Sequence, residues 1–311
     1  MNTAITAILP VFFLLGLGMF LRRFSWLSAP TVKELNRMLY WVFLPALLFY
    51  KTSGVSFDFS RSIIQFSALF MGSTATIGLA WVLAKSRGLN KITTTAMMQA
   101  SFRGNLAFIG LPIVLMVSQQ VGDYSKALEG QVYLLLAPAI IFYNVTGVLL
   151  VQSGVQVDFG KTKGILLKEV AKNPLILSIF GGLIFGLWSG PVSGLAKVIL
   201  EILAQAVLPL ALIGVGASIT TDSEDLFDAA SWTTGLAKVL INPLCGYLAA
   251  LAVGLNGEET KMVVILMAAP TATSAFILTS QLHSDWQLTA KVILSSAALS
   301  LLAYPIILVL L

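Results

Sequence analysis

The chain has 311 residues, of which 57% are apolar and only 11% charged, with a formal net charge of +5. A soluble domain carries about 25% charged residues, so this sparse set could not cover a water-facing surface of such size. A bilayer removes that demand, because lipid solvates an apolar exterior. One long soluble domain is thereby excluded in favour of a polytopic helical membrane protein. The positive charge reads as basic cytoplasmic loops and not as a nucleic-acid footprint. The lone Cys245 cannot form an intrachain disulfide and says nothing of redox compartment.

The apolar runs predict ten spans, each near the roughly 20 residues that cross a bilayer. In order they are 4–21, 35–53, 62–84, 94–118 and 131–153, then 174–189, 198–219, 231–255, 261–282 and 289–311. The first reads as a retained helix and not as a cleaved signal. Nothing basic precedes it, whereas Arg22 and Arg23 follow it directly. Loops after odd-numbered spans hold Arg22, Arg23, Lys33 and Arg37, then Lys85, Arg87 and Lys91, then Lys161, Lys163, Lys168 and Lys172, then Lys291. Loops after even-numbered spans hold only Lys51, Arg61, Lys126, Lys197 and Lys261, and the acidic loop with Asp222, Glu224, Asp225 and Asp228 has no basic residue. The excess places the odd loops in the cytoplasm and both termini outside. Trp26, Trp41, Trp188, Trp232 and Trp286 are expected near span ends, as an aromatic belt.

A weak internal repeat runs through the chain. Val42-Phe-Leu-Pro45-Ala-Leu-Leu-Phe49 in the second span matches Ala206-Val-Leu-Pro209-Leu-Ala-Leu-Ile213 in the seventh. Ala107-Phe-Ile109 in the fourth matches Ala275-Phe-Ile277 in the ninth, and Tyr143 in the fifth matches Tyr304 in the tenth. Five spans per copy is an odd number, so the second copy enters from the opposite side. That gives an inverted repeat, a construction found in many secondary transporters. The expected domains are a first five-helix repeat at 1–153, a cytoplasmic connecting loop at 154–173 and a second repeat at 174–311.

The fourth span contains Ser101-Phe-Arg-Gly-Asn-Leu-Ala-Phe-Ile-Gly-Leu-Pro112, and the ninth contains Met267-Ala-Ala-Pro-Thr-Ala-Thr-Ser-Ala-Phe276. Gly104, Gly110, Pro112 and Pro270 predict broken helices at matched positions, because proline removes a backbone donor and glycine lets the chain unwind. Freed backbone groups at membrane depth are tolerated only inside protein or along a cavity, and half-helix N-termini attract anions. The competing reading is a pair of simple kinks. Arg103 is costly at this depth and reads either as counter-ion to an anionic substrate or as a donor to carbonyls of the break. Lys238 could bind an anion, or could snorkel to the interface. Asn105 is a substrate-binding candidate, as are Thr271, Thr273 and Ser274. Asn144 and Thr146 in the fifth span are further candidates, with ordinary helix packing as the alternative for the hydroxyls. His283 reads as interfacial rather than as a proton relay.

No P-loop, HExxH or His/Cys cluster occurs in the sequence, so ATP-driven transport and a metal cofactor are not expected. Apart from Glu201, no carboxylate is expected inside a span. A carboxylate relay then lacks its usual residues. A coupling ion, sodium or proton, stays open, since carbonyls and hydroxyls at a break can hold sodium. No paired carboxylates or nucleophile–base pair point to an enzyme.

Asn105-Leu-Ala-Phe-Ile-Gly-Leu-Pro112 resembles the fourth-span N-x-x-x-x-G-x-P motif of the auxin efflux carrier family. Ala269-Pro270 and Ala303-Tyr-Pro305 are similar to that family's ninth and tenth spans. The resemblance implies ten helices as two inverted five-helix repeats with broken crossover helices 4 and 9, a fold similar to sodium/proton antiporters and bile-acid transporters. It implies a scaffold of helices 1, 2, 6 and 7, moving helices 3–5 and 8–10, a homodimer, and the cell (inner) membrane of a bacterial-type member without a long central loop. Plant members carry proline where this chain has Gly104. The function implied is secondary transport of a small organic anion, a mono- or dicarboxylate or auxin-like acid, by alternating access. A sodium-coupled symporter of the same fold, or a membrane sensor or channel, is the alternative.

Overall fold

The computed structural model describes residues 2–54, 59–120, 125–155, 164, 167, 171–218 and 228–310. Most of the connecting loop 154–173, with Lys161, Lys163 and Lys168, lies outside them, as do Asp222, Glu224 and Asp225 of the acidic loop.

The described chain is helical. Its helices are α1 (Asn2–Arg23), α2 (Ala29–Met38), α3 (Leu44–Ser53), α4 (Phe59–Ser86), α5 (Lys91–Phe102), α6 (Leu111–Gln120) and α7 (Ser125–Gly154). They continue with α8 (Pro174–Ser189), α9 (Gly194–Ser218), α10 (Ala229–Leu236), α11 (Asn242–Ala252), α12 (Gly257–Ala268), α13 (Thr273–Gln281) and α14 (Trp286–Leu310). Five stretches are long and apolar enough to cross a membrane: Ser60–Ser86, Gly130–Gly154, Gly194–Ser218, Ala229–Ala252 and Trp286–Leu310. The apolar runs thus mark the helices within a few residues, although α2 begins at Ala29 and carries Lys33 and Arg37 on its own surface. Trp41 follows shortly after the polar α2. It sits in the middle of the continuous helical run from Ala29 to Ser53.

That run stays continuous through a π-helical turn at Leu39–Phe43, and similar turns occupy Leu106–Gly110 and Ala237–Ile241. Each is followed at the second position of the next helix by proline, at Pro45, Pro112 and Pro243. Proline has no N–H, and its ring collides with the carbonyl four residues back. Widening the turn relieves that collision, and the residue before proline then bonds five residues back, Leu44 N–H to Leu39 O and Asn242 N–H to Ala237 O.

The contacts divide the chain into two compact units. The first comprises Met1–Ser62, Ala107–Pro138 and Ala171–Thr220. In it α1 packs on α9, and α3 on α8. Both packings are backbone-close: Gly216 has no room for a Cβ against Leu15 O, nor Gly182 and Gly186 against Phe49 and Ser53. Small residues that let helix backbones approach are the usual adhesive between membrane helices, where the solvent drives no apolar burial. The Thr52 hydroxyl adds a bond to Ile179 O at 3.3 Å.

The second unit comprises Ile63–Leu106, Ala139–Val170 and Thr221–Leu311. Here α14 packs on α10 and α13, and α11 on α12. Phe66, Phe70, Phe102, Phe142 and Tyr143 form an aromatic cluster with neighbouring ring centroids 5.0–6.3 Å apart. Both interrupted helices have their breaks in this unit.

Candidate functional site at two interrupted helices

Helix α5 stops at Phe102, and Arg103, Gly104 and Asn105 follow as non-helical residues before the π turn. Helix α12 stops at Ala268, and Ala269–Ala272 run on to α13. The two breaks satisfy each other. Asn105 N–H donates to Pro270 O at 2.8 Å, and Ala272 N–H donates to Arg103 O at 2.9 Å. Gly104 and Thr271 thereby face each other as an antiparallel bridge. Two short extended segments answer each other's demand for backbone partners, which lipid would not supply.

Side chains complete the closure. Thr271 N–H donates to Ser296 Oγ at 3.0 Å, and the Thr271 hydroxyl donates to Ala100 O at 2.8 Å, an end carbonyl of α5. Gln99 Nε2 reaches Ala275 O in α13. At the end of α12, Met267 O accepts from both Lys238 Nζ at 2.6 Å and Asn242 Nδ2 at 2.8 Å. Asn242 Oδ1 in turn accepts from the Thr76 hydroxyl at 3.0 Å. Thr271→Val is expected to remove the α5 cap while keeping the shape. It should lower stability by about 1–3 kcal/mol, because Ala100 O loses a buried donor, and thermal unfolding of the purified protein checks this.

Arg103 is only 1% exposed. Its Nη2 donates to Asn144 Oδ1 on α7 at 2.7 Å. Gly147, one turn along α7 from Asn144, makes room for it: a Cβ there would stand 3.0 Å from Arg103 Nη1. Residues three apart share a helix face, so Asn144 and Gly147 form one cradle. Gly104 serves the second cation likewise. A Cβ on it would stand 3.1 Å from Ala269 O and 3.2 Å from Lys238 Nζ. Lys238 is fully buried, which corrects the snorkelling alternative: its ammonium turns inward to Met267 O instead of outward to an interface. The buried residues of charged type among those described are Arg103, Lys238 and Glu259, and the first two, both basic, lie at the crossover.

Asn105 is half-buried and Thr273 exposed, whereas Thr271 and Asn144 are buried; Ser274 and Thr146 are half-buried. Thr273 opens α13, whose N-cap residue Ala272 has no side chain able to cap it. The first N–H groups of a helix left without such a cap are free to meet an anion. The structure therefore brings Arg103, Gly104, Asn105, Asn144, Lys238, Pro270, Thr271 and Thr273 to one region of the second unit. Gly110 closes the π turn and Pro112 is the second residue of α6; both are buried and belong to the first unit. His283 is exposed just beyond α13.

Of the two helical glutamates Glu201 and Glu259, only the second is buried. Glu201 lies half-buried in α9, whereas Glu259 is buried, accepts from Gln65 Nε2 at 3.2 Å and closes a capping box with Asn256. The signal was legible, since Asn256-x-x-Glu259 ahead of an apolar run is capping-box spacing. Gly147, Asn242 and Ser296 carried no comparable mark.

The chain is similar over nearly its whole length to proteins named as transporters. It is 26% identical to a Rhizobium meliloti protein named "Putative malonate transporter", over 90% of this chain and 87% of that protein. It is 25% identical to an uncharacterized transporter of Methanothermobacter thermautotrophicus, over 96% of this chain and 95% of the relative. It is likewise 25% identical to an uncharacterized transporter of Methanocaldococcus jannaschii, over 95% and 94%. The family model described as membrane transport protein, that of the auxin efflux carriers, matches residues 3–308, and the chain belongs to that family of multi-pass membrane transporters.

Proposed function

We propose that this transporter is a secondary carrier of a small organic anion, a mono- or dicarboxylate, working by alternating access. One observation carries the reading: the accessible polar groups at the two breaks, Asn105 and the uncapped start of α13 at Thr273, are backed by the buried basic side chains of Arg103 and Lys238. Helix N-termini and a positive interior favour an anion and disfavour a cation. The relative named for malonate supports a dicarboxylate. In this reading Asn105 and Thr273 touch the substrate. Arg103, fixed by Asn144, supplies charge from behind, while Thr271 and Pro270 keep the breaks in register. The fold proposed is ten spans in two inverted repeats at 1–153 and 174–311, with the loop 154–173 between them. The unbroken helices 1, 2, 6 and 7 are the scaffold, and helices 3–5 and 8–10 move. The protein works in the inner membrane as a homodimer, with both termini on the non-cytoplasmic side.

Uptake of labelled malonate and malate into proteoliposomes tests this. Saturable uptake is expected, with loss of at least about tenfold in Asn105→Ala, the equivalent of one good hydrogen bond to a charged ligand. Absence of uptake for any carboxylate, or wild-type rates in Asn105→Ala, would overturn the reading.

A further inference from the structure

Lys238 is a buried basic residue that the anion site does not need in contact. Its Nζ meets Met267 O, at the C-terminal end of half-helix α12, and not the N-terminal start of α13 where an anion is favoured. A helix C-terminus carries partial negative charge and carbonyls with no intrahelical partner. In carriers with discontinuous helices such carbonyls coordinate the travelling sodium ion or proton. Here the ammonium is already there, at 2.6 Å.

The surroundings are built around it. Asn242 Nδ2 also donates to Met267 O, and the Thr76 hydroxyl donates to Asn242 Oδ1, which fixes that amide beside the Lys238 ammonium. Gly104 brings the other break so close that a Cβ would press on Lys238 Nζ and Cε. The π turn Ala237–Ile241, which precedes Pro243, carries Lys238. Among the described residues no group of three His, Cys, Asp or Glu that could hold a metal ion is present.

We propose that the Lys238 ammonium is a built-in cation, tethered in the place at the end of α12 where a coupling sodium ion would otherwise bind, and that the carrier therefore works without sodium. The charge that a symporter would recruit from solution is here supplied by the chain. This rests on the carrier reading for its meaning in transport, but the occupancy of the α12 end stands on its own.

The test has two arms. In the first, thermal unfolding of the full-length protein in detergent is followed in sodium, lithium and choline chloride at equal ionic strength, with no substrate. The wild-type midpoint is expected to stay within about 1 °C across the salts. Lys238→Ala, whose vacated space exposes Met267 O, is expected to gain about 2 °C or more in sodium or lithium, since an ion that binds only the folded state stabilises it. Where Lys238→Ala yields no folded protein, Lys238→Ser takes its place. A wild-type midpoint that rises with sodium overturns the proposal, as does a variant indifferent to both ions. In the second arm, wild-type malonate uptake is expected to run at equal rates, within twofold, in sodium and in choline. Accumulation driven by a sodium gradient overturns the proposal. If no carboxylate is carried at all, the anion reading fails, while the unfolding data still decide the role of Lys238.

Discussion

Arg103→Met is expected to lower carboxylate uptake by at least about 30-fold while leaving a folded protein. The substitution keeps much of the volume and removes the charge. The loss reflects about 2 kcal/mol of attraction between a buried cation and the bound anion, at the lower end of what truncating a buried charge removes. Two effects on stability oppose each other. Asn144 Oδ1 loses the donor it has at 2.7 Å, which costs about 1–3 kcal/mol. Relief of the desolvation of a fully buried guanidinium acts the other way. The net change in unfolding midpoint is therefore small beside the loss of uptake. Arg103→Lys restores charge without the planar fork that meets Asn144, so it is expected to recover part of the uptake. Wild-type uptake in Arg103→Met, measured on protein with a normal unfolding transition, would remove the cation from the mechanism.

Gly104→Val is expected to disable the crossover outright. Even a Cβ there stands 3.1 Å from Ala269 O, a backbone atom that cannot swing aside, and 3.2 Å from Lys238 Nζ. A branched side chain must separate the two extended segments, and the bonds Asn105 N–H to Pro270 O and Ala272 N–H to Arg103 O stretch with them. Overpacking alone costs about 1–3 kcal/mol, and each buried backbone group left unpaired adds a similar amount. A lowered unfolding midpoint together with lost uptake is the expected pair of results. Gly104 has no positive φ, so the loss would report crowding and not backbone strain. A Gly104→Val protein with wild-type midpoint and uptake would mean that the two breaks do not need this approach.

Much of this architecture could be read from residue order. Apolar runs locate the helices, since the helix around Asn2–Arg23 or Pro174–Ser189 needs little more than length and hydropathy to be recognised. Gly104 and Pro270 mark the breaks for the same local reason, loss of a side chain or of an N–H. What residue order does not carry is which neighbour answers a freed group. Arg103 and Asn144 are 41 residues apart, and Lys238 and Met267 are 29 apart. Neither pairing follows from a period or a motif, only from how helices dock. The same gap explains the snorkelling alternative for Lys238. Position along a span gives its depth, but the face it presents is set by α12 and by the room that Gly104 leaves. Thr271 looks from the sequence like a ligand hydroxyl, yet the structure commits it to Ala100 O. The three π turns could have been anticipated at Pro45, Pro112 and Pro243. Pro10, Pro138, Pro209 and Pro305 nevertheless lie inside helices assigned α throughout, so proline alone does not decide the outcome.

The central claim is that an organic anion is held where the two interrupted helices meet. A structure of the full-length protein determined with malonate bound tests it most directly. The account predicts ligand density within hydrogen-bond distance of Asn105 and the first N–H groups of α13 at Thr273, with Arg103 still on Asn144 and Lys238 still on Met267 O. Density for the anion elsewhere in the molecule, with nothing at these two breaks, would contradict it.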